Sequence, residues 1–116
     1  ALADAYAVKG TALWRLQRHD EALVAAAAAT AFDPKGDGAL LLGQLYQERG
    51  AYPAAFAVFA RAHALGNTAA ARGAAETWDG PGEWEDAAAI FAPRAPSLQA
   101  PAPTPRRAAL GAPVPA

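Results

Sequence analysis

Residues 39–65 read ALLLGQLYQERGAYPAAFAVFARAHAL, and two helix-length stretches meet in them at Gly50. The first, residues 39–49, holds no proline and stops at that glycine. The second, residues 53–65, opens on Pro53, whose missing N–H is harmless in a first turn, and is closed by Gly66-Asn67. Two helices joined by so short a connection must run antiparallel. The decisive unit is therefore a helical hairpin spanning about residues 37–66.

Moving outward, the same punctuation recurs on both sides. Residues 4–17 are helix-compatible throughout. Gly10 in their interior costs about 1 kcal/mol relative to Ala, so it asks for a packing reason. Arg18-His19-Asp20 makes a tight connection, and Asp20 is the natural N-cap of a second helix over residues 21–32, ended by Asp33-Pro34. After the loop Lys35-Gly36-Asp37-Gly38 comes the central hairpin. Beyond it, Thr68 can cap a fifth helix over residues 69–78, and Asp79-Gly80-Pro81-Gly82 forces a loop before a short sixth over residues 83–92. The expectation is an all-α fold of three hairpins, about residues 4–33, 37–66 and 68–92.

Composition supports helices and narrows the class. Of 116 residues, 53% are hydrophobic, yet 36 are Ala and only 20 are Leu, Ile, Val or Phe. Ala is the best helix former and a poor strand residue, so an all-β or doubly wound α/β fold is disfavoured. A formal net charge of −1 lacks the self-repulsion that keeps chains unfolded. Without Cys there is no disulfide framework, thiolate metal site or cysteine nucleophile. A pI near 6.1 argues against a nucleic-acid partner, and no apolar run approaches the ~20 residues of a membrane span. Met is also missing, even at position 1, which fits either signal-peptide removal or a piece of a longer chain. The sequence leaves the compartment open between the cytoplasm and, if a signal peptide was removed, the periplasm.

At Pro93 the composition changes. Seven of the ten prolines lie between Pro93 and Pro115, so residues 93–116 read as an extended, polyproline-like tail and residues 1–92 as the folded domain.

The hairpins also repeat. Aligning Arg18-His19-Asp20-Glu21-Ala22, Gly50-Ala51-Tyr52-Pro53-Ala54-Ala55 and Gly82-Glu83-Trp84-Glu85-Asp86-Ala87 sets Ala22, Ala55 and Ala87 at intervals of 33 and 32 residues, a period typical of stacked helical pairs. The pattern resembles the tetratricopeptide repeat, W-x2-L-G-x2-Y followed by A-x3-F. Leu42-Gly43-Gln44-Leu45-Tyr46 carries the first half and Ala55 with Phe59 the second, with Ala62 three residues on. The first unit keeps Tyr6 in the Trp place, Gly10, Ala22, Ala29 and Pro34, but has Lys9, Leu13 and Ala26 where Leu, Tyr and Phe are usual. The third keeps Trp78, Trp84, Ala87 and Phe91, then breaks at Pro93. The resemblance covers residues 3–92 and implies a right-handed solenoid.

In that arrangement Gly10, Gly43 and the alanines at 22, 29, 55, 62 and 87 are small so that paired helices can approach closely. The expected core is Tyr6, Leu13, Leu16, Leu23, Phe32, Leu42, Tyr46, Phe56, Phe59, Leu65, Trp78, Trp84 and Phe91. Residues Ala25 to Ala28 have no packing role that the pattern assigns.

Chemistry has few candidates. In His19-Asp20-Glu21, consecutive positions at a helix start diverge, so a turn histidine, a cap and a dipole-complementing carboxylate are the simpler reading than a metal site. His63 stands among Ala and Leu, and the only serine, Ser97, lies in the tail. No catalytic apparatus, cofactor or metal is expected. What remains is surface, and here the resemblance implies a concave groove lined by first helices that binds a peptide segment or a partner protein. Its matching positions are Thr11, Trp14, Arg15, Leu40, Gln44, Gln47, Arg72 and Glu76. The Lys/Asn/Arg clamp for C-terminal carboxylates is not among them, since the corresponding positions hold Ala7, Thr11, Gln44, Arg72 and Glu76. Trp14 and Arg15 are the leading pair, with Trp14 alternatively filling the hairpin core or covering the open end. A second expectation is structural: the clipped third hairpin exposes Trp84, Ile90 and Phe91, an apolar end for a homo-oligomer contact or for coverage by the tail.

Overall fold

The structure, a computed structural model, describes residues 1–92. It is all-helical, with no strand among the described residues. The helices are α1 (Leu2–Arg15), α2 (His19–Phe32), α3 (Asp37–Glu48), α4 (Tyr52–Ala64), α5 (Ala70–Thr77) and α6 (Trp84–Ala88), followed by a 3-10 turn, Ala89–Phe91. The tail expected at residues 93–116 lies outside the described residues.

One turn geometry ends three of the helices. The N–H of Arg18 donates to the Leu13 carbonyl, that of Ala51 to Tyr46 and that of Asn67 to Ala62, each at 2.9 Å. These are the six-to-one bonds of a Schellman closure, which needs a left-handed residue just before the donor. Gln17, Gly50 and Gly66 occupy that place with φ of 65°, 77° and 111°. Gly82 has φ of 80° as well, so left-handed residues stand at 17, 50 and 82, in the same register as the three alanines. Glycine takes this conformation without strain, whereas Gln17 holds it at a cost of about 1 kcal/mol.

Two expected caps are replaced. Helix α2 begins at His19 with Arg18 as N-cap and no side-chain cap bond, because the Schellman closure of α1 already bends the chain at Arg18. Asp20 therefore falls inside the first turn of α2 and pairs with the Arg49 guanidinium of the next hairpin instead. At α5 the cap residue is Ala69. Asn67, not Thr68, serves this end: its Oδ1 accepts from the Ala69 N–H at 3.0 Å and its Nδ2 donates to the Lys35 carbonyl at 2.8 Å. The sixth helix is also shorter than expected, since its last turn tightens to 3-10 before Pro93.

Helix α3 is central, touching α1, α2, α4 and α5. It therefore buries a wide arc: Leu41, Leu42 and Leu45 are all buried, and Leu45 at 2% exposure is the most enclosed large side chain. Leu41 and Leu45 were not in the expected core. Two members of that expected core are exposed, Leu16 at 64% and Phe32 at 58%, because the first hairpin has a neighbour on one side only. Phe32 stacks on Tyr6 at a centroid distance of 5.9 Å, so aromatic surface remains at that edge. Ala25 and Ala26 are buried, which gives them the role the sequence pattern withheld: α1 and α2 cross there, and a Cβ on Gly10 would come 3.4 Å from the Ala26 nitrogen.

The second core joins α3, α4 and α5. Phe59, 6% exposed, presses the end of its ring against two backbones at once. A Cβ on Gly43 of α3 would sit 2.5 Å from Phe59 Cζ, and one on Gly73 of α5 would sit 2.6 Å from three of its ring carbons. Real Cβ atoms do not approach so closely, so both helices need glycine where the ring arrives. Phe56 packs beside it on Trp78, with centroids 4.8 Å apart.

Gly10 and Gly43, equivalent in register, therefore predict unequal costs. A Cβ on Gly10 meets Leu41 Cδ2 at 3.0 Å, the movable end of a side chain, and Ala regains about 1 kcal/mol of helix propensity. Gly43→Ala has no such escape and should lose about 1–3 kcal/mol through overpacking. Thermal unfolding of the two variants checks this; an equal or larger loss for Gly10→Ala would contradict it.

Candidate binding surface on the first helices

Helices α1, α3 and α5 touch in succession, α1 meeting α3 and α3 meeting α5, while α6 packs on α4 rather than on α5. They hold the expected groove residues, which the structure places in different situations.

Thr11 and Arg15 come together. With Ala7, Val8, Ala12 and Asp37 they line an open depression of about 360 Å³ between α1 and the start of α3. The Thr11 hydroxyl donates back to the Ala7 carbonyl at 3.0 Å, which leaves its oxygen free to accept. Arg15 contributes a cation in the last turn of α1 and Asp37 an anion in the first turn of α3, each in the orientation its helix dipole favours. Asp37 is a site residue that the sequence pattern missed, because it was read only as a loop connector.

Trp14 does something else. It is half-buried against the core shared by α2 and α3, and its Nε1 donates to Glu48 Oε1 at 3.4 Å. His19 Nδ1 lies 3.9 Å from the same carboxylate oxygen. A shallow recess opens over this group, lined by Trp14, Arg15, Gln17, His19 and Glu48. Trp14 is thus a clasp between the first and second hairpins as well as a wall of that recess. The other anchor between these hairpins, Asp20 with Arg49, lies one residue beyond His19 and one beyond Glu48. Nearby, the Arg18 guanidinium grips Glu21 with bonds of 2.6 and 2.9 Å; chiefly through that hydrogen bonding it holds the Glu21 carboxyl below the usual range.

The remaining candidates are spread out. Leu40 packs against the core around Phe59, so it supports the surface from beneath. Gln44 is exposed and Gln47 half-buried on α3. Arg72 and Glu76 bond to each other one turn apart on α5, at 3.1 Å, an exposed pair worth a few tenths of a kcal/mol that a ligand can break at little cost.

The expected end-face residues also differ from one another. Trp84 and Phe91 are half-buried against the α3–α5 core, and Trp84 meets His63 edge-on at 5.2 Å. Ile90 alone of the three is strongly exposed, at 78%. Among the described residues no three His, Cys, Asp or Glu side chains are grouped to hold a metal ion, and no helix is long and apolar enough to cross a membrane. Compared with known proteins, the chain matches no family model, no curated protein and no solved structure.

The neighbouring residues Trp14 and Arg15 should therefore separate under substitution. Trp14→Ala removes a half-buried ring and the bond to Glu48 and should lower stability by about 2–3 kcal/mol. Arg15→Ala, on an exposed side chain, should change it by less than about 0.5 kcal/mol. Urea unfolding of both measures the difference; similar losses would show that Trp14 is not the clasp.

Proposed function

We propose that the chain is a tetratricopeptide-type array of three helical hairpins, coiled as a right-handed solenoid, and that it is a non-enzymatic scaffold. In this reading it holds a peptide segment or a partner protein along the face formed by α1, α3 and α5. The observation that carries the reading is a register of left-handed residues at 17, 50 and 82, in step with Ala22, Ala55 and Ala87, with the same Schellman closure at the first two. A unit repeated in backbone conformation, rather than in composition alone, sets equivalent first helices side by side and so builds one continuous ligand face.

Within that face the depression between Thr11, Arg15 and Asp37 is the best place for a ligand. It offers a cation, an anion and a free acceptor around an Ala-rich floor. Those groups suit an extended peptide, whose backbone supplies both donors and acceptors and whose side chains can pair with either charge. Gln44, Gln47, Arg72 and Glu76 extend the polar lining along α3 and α5. Trp14 contributes by holding the first two hairpins in register.

Self-association through the last hairpin is the second reading, favoured by the exposure of Ile90 beside Trp84. It uses the opposite end of the chain from the Arg15 depression, so the two readings are separable.

A peptide selected by display against the full chain should shift amide NMR signals on α1, α3 and α5, and Arg15→Glu should weaken it about tenfold or more. Shifts confined to α2 and α4, or an affinity unchanged by Arg15→Glu, would overturn the groove reading. Concentration-dependent shifts around Ile90 without peptide would favour self-association instead.

A further inference from the structure

Where α6 meets the end of α4 lies a pocket that the peptide-binding reading does not use. His63, Trp84, Glu85, Ala88, Ala89 and Ala92 line an almost wholly apolar depression of about 170 Å³. One wall is the Trp84 ring, braced edge-on by His63. A tryptophan in an apolar recess, with a carboxylate at its rim, is chemically suited to proline rings next to a basic side chain.

The charges of the chain are segregated to match. Between Arg72 and Arg94 there are five carboxylates, Glu76, Asp79, Glu83, Glu85 and Asp86, and not one Lys or Arg. From residue 93 onward the pattern inverts: Arg94, Arg106 and Arg107 occur with no Asp or Glu, among seven of the ten prolines. The residue that enters this segment, Ala92, is itself part of the pocket lining.

We propose that residues 101–107, Pro-Ala-Pro-Thr-Pro-Arg-Arg, dock in cis on the Trp84 pocket. The prolines lie against the indole and the Ala88–Ala89 floor, and Arg106 and Arg107 face Glu85 and its neighbours Glu83 and Asp86. Residue 101 is nine residues beyond Ala92, a contour of about 28 Å in polyproline conformation, which is ample for the chain to turn back. Each proline ring fixes its own φ, so a proline-rich segment loses less conformational entropy on docking than an ordinary one. Tethering supplies an effective concentration on the order of millimolar, so even a site of millimolar intrinsic affinity is about half filled. The docked segment covers the apolar edge that otherwise invites stacking by a second copy.

The chain has no cysteine, so Ala109→Cys in the full chain accepts a single nitroxide label. Docking in cis should roughly halve the NMR signals of His63, Glu85, Ala88 and the Trp84 indole or reduce them further, and leave α1 untouched. Arg106→Glu with Arg107→Glu, or high salt, should restore the signals, with circular dichroism confirming an unchanged helix content. Mixing labelled unenriched chain with unlabelled 15N chain should produce no loss at those residues. Weak broadening spread over the whole surface, or broadening that survives the charge reversal, would overturn the proposal. Loss in the mixed sample would overturn it too, by assigning the pocket to a second copy.

Discussion

The Phe59 ring depends on two glycines in two other helices, and the order of the hairpins depends on that ring. Contact with Gly43 seats α4 on its own first helix, and contact with Gly73 seats α5 on α4. An alanine-rich chain has few large side chains with which to fix helix positions, so a single ring used by three helices carries unusual weight. The first hairpin is built differently. Ala26 occupies the place equivalent to Phe59, and α1 meets α2 through Gly10 at backbone distance. Its connection to the rest then falls to α3, through Leu41, Leu42 and Leu45, and to polar ties at the surface.

Those ties run between positions about one repeat apart. Trp14 reaches Glu48, Asp20 reaches Arg49, and Asn67 reaches the Lys35 carbonyl. Each is exposed and individually weak. Together they add polar ties at the surface to the apolar contact of one hairpin on the next. The proposed ligand face needs that constraint, because Arg15 and Asp37 come from different hairpins and their separation follows the twist.

Much of this was legible in the sequence where the cause is local. Gly50, Pro53 and Gly66 punctuate the central hairpin through their own backbone preferences, so its limits could be read without a partner. The small residues at 10, 22, 43 and 55 follow from helix spacing. What could not be read depends on residues some 30 positions away. Leu45 is buried because α3 has neighbours on both sides, whereas Leu16 and Phe32 are exposed because the first hairpin has one. Asp20 looks like a cap until Arg49 is nearby. Gly73 is an ordinary helix-weakening residue until the Phe59 ring arrives. The candidate surface divides in the same way: register placed Thr11 and Arg15 on one face, but only the tertiary fold could bring Asp37 to them, turn Trp14 toward Glu48 and set Arg72 on Glu76.

The central claim is that one aromatic ring joins α3, α4 and α5. The most direct measurement is the set of proton–proton NOEs from the Phe59 ring in the full-length protein. The account predicts cross-peaks from the ring ε and ζ protons to the α protons of both Gly43 and Gly73. Cross-peaks to Gly43 alone would leave α5 held by something else, and cross-peaks to neither would contradict the packing on which the fold rests.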